Sequence, residues 1–283
     1  MTDRLVVGWD GTAAARAALD WAVRHEPACA ELELVVADAR GSRPSAAPSA
    51  EEAAARLRDA RPDLHVAVAV ERGPAASVLA ARSGAGVLVV LGGADPGTGR
   101  HRSSVAYRVA STASGPVAMV PEGFDHGRDV VLGVGDEPCA PSVALAAAGQ
   151  AAQRGQRLVA VHAWRAFLDL DTLVDLDPHH DGRIAREREA VLTEALAPVV
   201  ERYPAVPLAR RVVHGRPVDA VLGAARTASL LVLGRDEGGT ARRGRPVAQV
   251  AMLASRVPVL VVPRRVVTER VRSPARWGGS ASR

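Results

Sequence analysis

The sequence predicts an α/β protein built from two doubly wound domains, each with a five-stranded parallel sheet. Three observations lead to this fold class. The chain repeats itself at an offset of 142 residues: Gly92 and Gly234 each follow an apolar run, and Pro116 and Pro258 each open another. Each half holds five short, Val-rich apolar runs, the pattern of strands covered on both faces. Longer segments with helical spacing separate them, and this alternation favours parallel strands joined by right-handed crossovers.

The apolar runs give ten predicted strands. In the first half they are Arg4–Gly8, Leu32–Ala37, His65–Val70, Val87–Leu91 and Pro116–Val120. In the second half they are Asp129–Gly133, Arg157–His162, Leu208–Val213, Ser229–Leu233 and Pro258–Val262.

Helices are predicted between these strands. The helix after the second strand is expected to start at Ser49, because Ser49 and Glu52 have the spacing of a capping box. Residues 184–203 have the apolar spacing of a longer helix. Residues 179–181 read His-His-Asp and end an acidic stretch, which we interpret as a solvated loop rather than a metal site.

The repeat sets the predicted domain organisation. The first domain covers residues 1–121, a short linker covers 122–128, and the second domain covers 129–265. Residues 266–283 are rich in Ser, Gly and Arg, so a disordered basic tail is expected there.

Composition indicates an ordinary globular protein. Hydrophobic residues make up 48% of the 283 residues and charged residues 24%. No apolar stretch approaches the length of a membrane helix, and the first residues lack the pattern of a signal peptide. Two cysteines do not make a disulfide scaffold. We therefore expect a cytoplasmic protein without a membrane partner.

The positive net charge is concentrated at one end of the chain. Residues 1–263 carry 30 Arg and 30 acidic residues, whereas residues 264–283 carry six Arg and one Glu. Lys is absent, and aromatic residues make up only 3%. A basic surface interleaved with stacking aromatics is therefore not expected, which disfavours nucleic acid as a partner.

Several segments carry a family resemblance when taken in order. The opening VVGWDGTAAARAALDWA resembles the start of a universal stress protein domain. The segments GQRLVAVHAW, VVHGRPVDAVLGAARTASLLVLG and ASRVPVLVVP resemble the second domain of tandem universal stress proteins of actinobacterial type. The likeness covers nearly all of residues 1–265, and its motifs occur in the same order twice.

The resemblance implies a fold, a pairing mode and a role. The fold is the universal stress protein-like, adenine-nucleotide α-hydrolase-like sheet. Many members pair through their last strands, so the two halves are expected to form an internal pseudo-dimer or the chain a homodimer. Some members bind ATP, with Mg²⁺, through an acidic residue after the first strand and a Gly-x-x-Gly-x9-Gly-Ser/Thr loop after the fourth. The family acts in stress tolerance and signalling, without a general catalytic reaction.

The first half keeps part of this nucleotide pattern. Its loop departs from the pattern at Asp95, where the second glycine is expected, and it is two residues short. Arg side chains near the loop's end offer charge for phosphates. Trp9 beside the expected mouth fits either stacking on a base or packing in the core. The candidate nucleotide-binding residues are Asp10, Gly11, Ala37, Gly92, Gly93, Arg100, Arg102, Ser103 and Ser104.

The second half departs further. Gly135 aligns with Asp10, or Asp136 does if one residue is inserted. Pro246 removes a backbone donor where the pattern has Ser or Thr. The weaker candidate residues are Asp136, Ala163, Gly234, Gly238, Gly244 and Arg245.

Three functions remain open on the sequence. The first is a stress-response regulatory module that binds ATP in the first domain. The second is an interaction scaffold that docks an anionic partner or metabolite and binds no nucleotide. The third, a weak ATPase, needs a carboxylate that positions a metal and a base that activates water, and Asp95 and His101 are the nearby candidates in the first loop. A Gly-x-Ser-x-Gly elbow does not occur, and a chain without Lys has no Walker A motif, so no catalytic residue is assigned.

Overall fold

The computed structural model describes residues 2–39, 46–93, 105–124, 127–135, 140–164, 180–235 and 247–264, and side chains within 180–185 are left out of the description. Strands and helices alternate through these ranges. The strands are β1 (Arg4–Gly8), β2 (Glu31–Asp38), β3 (His65–Arg72), β4 (Val87–Gly93), β5 (Val117–Pro121), β6 (Val130–Val134), β7 (Leu158–Trp164), β8 (Leu208–His214), β9 (Leu230–Gly234) and β10 (Val259–Val262). The helices are α1 (Ala13–His25), α2 (Ala46–Ala60), α3 (Ala75–Ala80), α4 (Val105–Thr112), α5 (Pro141–Arg154), α6 (His180–Arg202), α7 (Pro217–Ala225) and α8 (Val247–Ala254).

The ten strands form one sheet in the order β3-β2-β1-β4-β5-β10-β9-β6-β7-β8. Within each half, all five strands run parallel, which confirms the predicted doubly wound α/β class. The strand order 3-2-1-4-5 is the same in both halves once the second is counted from β6. The sequence repeat is therefore a repeat of complete folding units.

The halves join through an antiparallel pair at the centre of the sheet. Strand β10 lies beside β5, and Leu260 faces Ala118 with two further pairs flanking it. Leu260 stands 142 residues after Ala118, the offset of the sequence repeat. A pseudo-two-fold axis therefore passes through this pair, and the two halves of the chain meet through their last strands.

Helices cover both faces of the sheet. Buried residues of α1, α2, α5 and α6 pack on one face together with alternate strand residues such as Leu5 and Leu132. Buried residues of α3, α4, α7 and α8 pack on the other face with residues such as Val89 and Leu231. Each of these two cores contains residues from both halves. The molecule is thus a three-layer sandwich whose two apolar layers continue across the central strand pair.

Local sequence explains several helix ends. The Thr12 hydroxyl accepts a hydrogen bond from the Ala15 amide at 3.3 Å and so caps the start of α1. Pro141 and Pro217 occupy the first turns of α5 and α7, where a missing amide hydrogen costs little. Gly155 ends α5 with a φ of 60°, the left-handed conformation that favours glycine.

Two predictions of local structure were wrong. Ser49 does not start α2, which already includes Ala46; its hydroxyl instead donates to the Ala46 carbonyl at 3.0 Å. The predicted loop through residues 179–181 is also wrong in part, because α6 begins at His180. In both cases the helix begins earlier in the chain than the sequence pattern indicated.

Candidate functional site

The carboxyl end of β1 lies at the topological switch point of the first half. The chain leaves β1 toward β2 on one side, whereas β4, the neighbour on the other side, continues to β5. Consecutive crossovers diverge here, and in open α/β sheets the ligand-binding crevice lies at such a point. The register brings Ala37, Gly92 and Gly93 to this edge of the sheet, and Asp10 follows β1 at the same edge.

Asp10 is held in a defined position. One of its carboxylate oxygens, Oδ1, accepts hydrogen bonds from the Thr12 hydroxyl at 2.6 Å and the Thr12 amide at 3.1 Å. Thr12 in turn caps α1, so the carboxylate is fixed relative to both β1 and the helix. Asp10 is exposed. The arrangement presents an ordered, solvent-accessible acid beside the crevice.

Gly92 is at this edge for a packing reason. A Cβ atom at this position would lie 2.4 Å from the Ala14 carbonyl carbon and oxygen and 2.8 Å from the Ala15 nitrogen. These are backbone atoms of α1, which do not move aside easily. A Cβ atom at Gly93 would overlap the sulfur of Met119. The glycines therefore allow α1 and β5 to approach β4 closely, whatever else the loop binds.

Trp9 packs in the core at the rim of the mouth. Its side chain is 4% exposed, and its Nε1 donates to the Ser49 hydroxyl at 3.0 Å. This contact ties the end of β1 to the first turn of α2. Of the two interpretations of Trp9, core packing is the one observed. Neighbouring Gly11 has a φ of 78°, and a Cβ there would lie 3.2 Å from the same Ser49 oxygen.

The phosphate side of the predicted site lies outside the described residues. Arg100, Arg102, Ser103 and Ser104 fall within 94–104. In the second half, Asp136, Gly238, Gly244 and Arg245 are likewise outside the described ranges. The structure thus places the strand-end residues of both predicted sites, and the roles of all these residues stay predictions.

The corresponding edge of the second half has a different composition. Gly133 of β6 occupies the position that Gly8 has in β1, because Gly133 pairs with Val161 as Gly8 pairs with Val35. Gly135 therefore stands where the first half has Asp10. Ala163 aligns with Ala37 and is buried. Beyond it, the buried Trp164 ring lies 4.6 Å from the His214 ring, where the first half has Asp38 and Arg72. The second mouth is therefore more apolar at its described edge.

One contact between the halves also reaches this second edge. Arg235, the residue after β9, donates to the Ala113 carbonyl at the end of α4. Within the second half, the Ser142 hydroxyl of α5 donates to the Arg264 carbonyl at 3.1 Å. Sequence reasoning missed both contacts. The basic residue after Gly234 was visible, but its acceptor belongs to the other half, and no local pattern signals such a pairing.

No group of three or more metal-ligating side chains comes together within the described part of the chain. None of its helices is both long and apolar enough to cross a membrane. The crevice at the first edge therefore offers a carboxylate, backbone groups and small residues as its described chemistry.

Comparisons with known proteins agree with this architecture. Residues 127–263 match the model of the universal stress protein family. A universal stress protein of Mycolicibacterium smegmatis is 30% identical over 292 aligned positions, which cover 91% of this chain and 96% of that one. One from Mycobacterium tuberculosis is 32% identical over 188 positions, 62% of this chain, and the match spans 61% of that relative's length.

Solved structures share the fold at low sequence identity. A universal stress protein from Archaeoglobus fulgidus superposes with a TM-score of 0.59 at 14% identity, covering 94% of this chain and 100% of that one. A functionally unknown protein from Pseudomonas aeruginosa gives a TM-score of 0.61 at 14% identity, covering 93% of this chain and 92% of that one. Each of these two superpositions includes both halves of this chain.

Proposed function

The chain belongs to the universal stress protein family, and from that premise we propose that it is a regulatory binding module that takes ATP in its first half. The observation that carries the proposal is the position of Asp10, an exposed and ordered carboxylate at the switch point of the first half. Ala37 and Gly92 lie near the carboxyl ends of the neighbouring strands β2 and β4, at the same edge of the sheet. This is the region in which open α/β sheets bind ligands.

The described residues fit the nucleoside end of ATP. A carboxylate is an acceptor for the paired hydroxyls of a ribose, and small residues such as Ala37 and Gly11 leave space for a base. The phosphates and their Mg²⁺ would lie toward residues 94–104, where the sequence offers Arg100, Arg102, Ser103 and Ser104. The bound nucleotide would supply a charged triphosphate, and the Arg and Ser side chains of this loop would hold and orient that group.

The two halves are proposed to differ in this function. Gly135 offers no carboxylate where the first half has Asp10, and Trp164 adds an apolar group to the second edge. Because the second half lacks the carboxylate and carries an apolar side chain at this edge, we expect one nucleotide per chain, bound in the first half. The second half then serves to present the pair of domains to a partner.

The test is calorimetric titration of Mg-ATP into the full chain and its Asp10→Asn variant. Asparagine keeps the Oδ1 acceptor for Thr12, so the cap of α1 remains while the charge is removed. We expect affinity to fall by about 10- to 100-fold, the value of a charge-assisted hydrogen bond. Asp63→Asn is the matched control, because Asp63 is exposed and paired with Arg61 just before β3, away from the crevice. Equal affinity for Asp10→Asn and wild type would overturn the proposal.

A second candidate, an interaction scaffold without nucleotide, is favoured by one observation. The close approach of α1 to Gly92 explains that glycine by packing alone. On this alternative the full chain takes up no Mg-ATP, and an anionic partner held by exposed Arg side chains dissociates steeply with rising salt. Phosphate release that is abolished by Asp95→Asn would instead favour the weak ATPase.

A further inference from the structure

A cavity lies at the junction of the two halves, away from the strand edge that holds Asp10. It has a volume of about 290 Å³, within the lower range of small-molecule sites. Arg24 and His25 line it from the end of α1, and Gln153 and Arg154 line it from the end of α5. A second cavity of about 160 Å³ adjoins it and shares Arg24, His25 and Phe124.

Buried donors at this junction have no acceptor within the described residues. The Nε1 of Trp21, a side chain that is 4% exposed, has no hydrogen-bond partner there. The same is true of Nε and Nη2 of Arg154. The guanidinium of Arg154 lies 5.6 Å from the Trp21 ring centre, so these donors from opposite halves are grouped together. Buried donors left unpaired are costly, and in native proteins such groups usually have a partner.

The remaining polar groups at the junction are largely matched to each other. Glu26, only 6% exposed, accepts from Gln150 at 2.8 Å and from Gln153 at 3.4 Å. Nη1 of Arg154 donates to the Gln150 carbonyl at 3.1 Å. This pairing holds α1 against α5, and it leaves Nε and Nη2 of Arg154 without an acceptor among the described residues.

The charges around the larger cavity favour an anion. Its described lining contains Arg24, Arg154 and His25, and no carboxylate. Asp20 lines the smaller cavity, and Glu26 faces Arg154 electrostatically from α1. Burial lowers the pKa of Arg154 to about 10, with Glu26 opposing the shift, so the guanidinium is charged at neutral pH but only partly compensated. Nε and Nη2 of Arg154 have almost no accessible surface, so a bound oxyanion would act on this guanidinium by supplying the opposite charge.

We propose that this junction cavity binds a small organic oxyanion, a phosphate or carboxylate compound, whose acid group pairs with Arg154 while its body contacts Phe124. Because the lining comes from both halves, a bound ligand would stabilise the folded protein and the contact between its halves. The site is separate from the proposed nucleotide site and uses none of its residues.

The test titrates inorganic phosphate and, separately, succinate into the full chain, followed by calorimetry and by the shift in thermal unfolding temperature. We expect saturable binding of at least one probe, and the probe that binds distinguishes phosphate from carboxylate ligands. Arg154→Gln should weaken that binding at least about tenfold and remove the thermal shift. Arg56→Gln is the control, because Arg56 is an exposed α2 residue paired with Glu52.

Arg24→Gln provides a second variant should Arg154→Gln fail to fold, since Arg24 is exposed and lines both cavities. It is also expected to weaken the bound probe. Absence of saturable binding up to about 10 mM of either probe, or unchanged affinity in the folded variants, would overturn the proposal. Mg-ATP affinity should be the same in wild type and Arg154→Gln, so failure here and failure of the nucleotide proposal are distinguishable.

Discussion

At the scale of single residues, equivalent positions in the two halves differ in how tightly they are packed. Gly92 and Gly234 occupy equivalent positions, 142 residues apart, at the end of the fourth strand's apolar run in each half, and both have the same interpretation in the sequence. At Gly92 a Cβ would enter the backbone of α1, whereas at Gly234 the nearest atom, a methyl carbon of Val143, is 3.5 Å away. A side chain is therefore excluded at one position and tolerated at the other.

Alanine at these two positions gives a matched test. Gly92→Ala should lower the free energy of unfolding by about 1–3 kcal/mol, because α1 must shift to accept the added carbon. Gly234→Ala should change it by about 0.5 kcal/mol or less. Urea unfolding of both variants measures the difference. Equal losses at both positions would show that the close approach of α1 to β4 is not what requires glycine.

Cys29 is predicted to be chemically inert in the folded protein. Burial raises the pKa of its thiol, and the sulfur donates to the Glu31 carbonyl at 3.2 Å. Since the thiolate is the reactive form, labelling by a disulfide reagent near pH 8 should be at least about tenfold slower in the native state than after unfolding in guanidinium. The measurement uses a Cys139→Ser background so that one thiol reports. Equally fast labelling in both states would contradict the assignment.

At the scale of elements, the contact between α1 and α5 joins helices that are distant in sequence. Glu26 extends from the end of α1 and accepts from two amides of α5. Glu26→Ala should cost about 1–3 kcal/mol, because it leaves those donors without their acceptor. Denaturant unfolding checks this value against Glu52→Ala, an exposed i,i+4 pair that should cost about 0.5 kcal/mol or less.

A double-mutant cycle then assigns the loss to the helix pair. Glu26→Ala and Gln150→Ala should be coupled by at least about 0.5 kcal/mol, because each removes the same hydrogen bond. Additive effects would mean that Glu26 acts through something other than α5.

At the scale of the whole molecule, the two halves share one sheet and two continuous apolar layers. Neither half can unfold without exposing β5 or β10, whose residues are buried against each other. We therefore expect a single calorimetric transition, with calorimetric and van't Hoff enthalpies that agree. Two resolved transitions in scanning calorimetry would show that the halves are energetically independent.

Periodic features of this fold could be predicted from sequence, and features made by tertiary pairing could not. The apolar runs placed β1 at Arg4–Gly8 as observed, because a strand covered on both faces must be apolar along its whole length. Asp10 and Gly92 were found at the candidate site because the end of a strand fixes them. The buried Glu26 was not found, since its partners lie more than a hundred positions away. Ser49 was wrongly predicted to cap α2, because its hydroxyl accepts a hydrogen bond from Trp9 and the helix begins before it.

The pair at the pseudo-axis, Ala118 opposite Leu260, has an evolutionary consequence. In a dimer of identical subunits, a residue on the two-fold axis must face its own copy, so small meets small or large meets large. Covalent fusion of the two units lifts that restriction and lets a small side chain accept a large one. The same freedom extends outward from the axis. One unit can lose an acidic group that the other retains, so duplication here allows division of labour that symmetry would forbid.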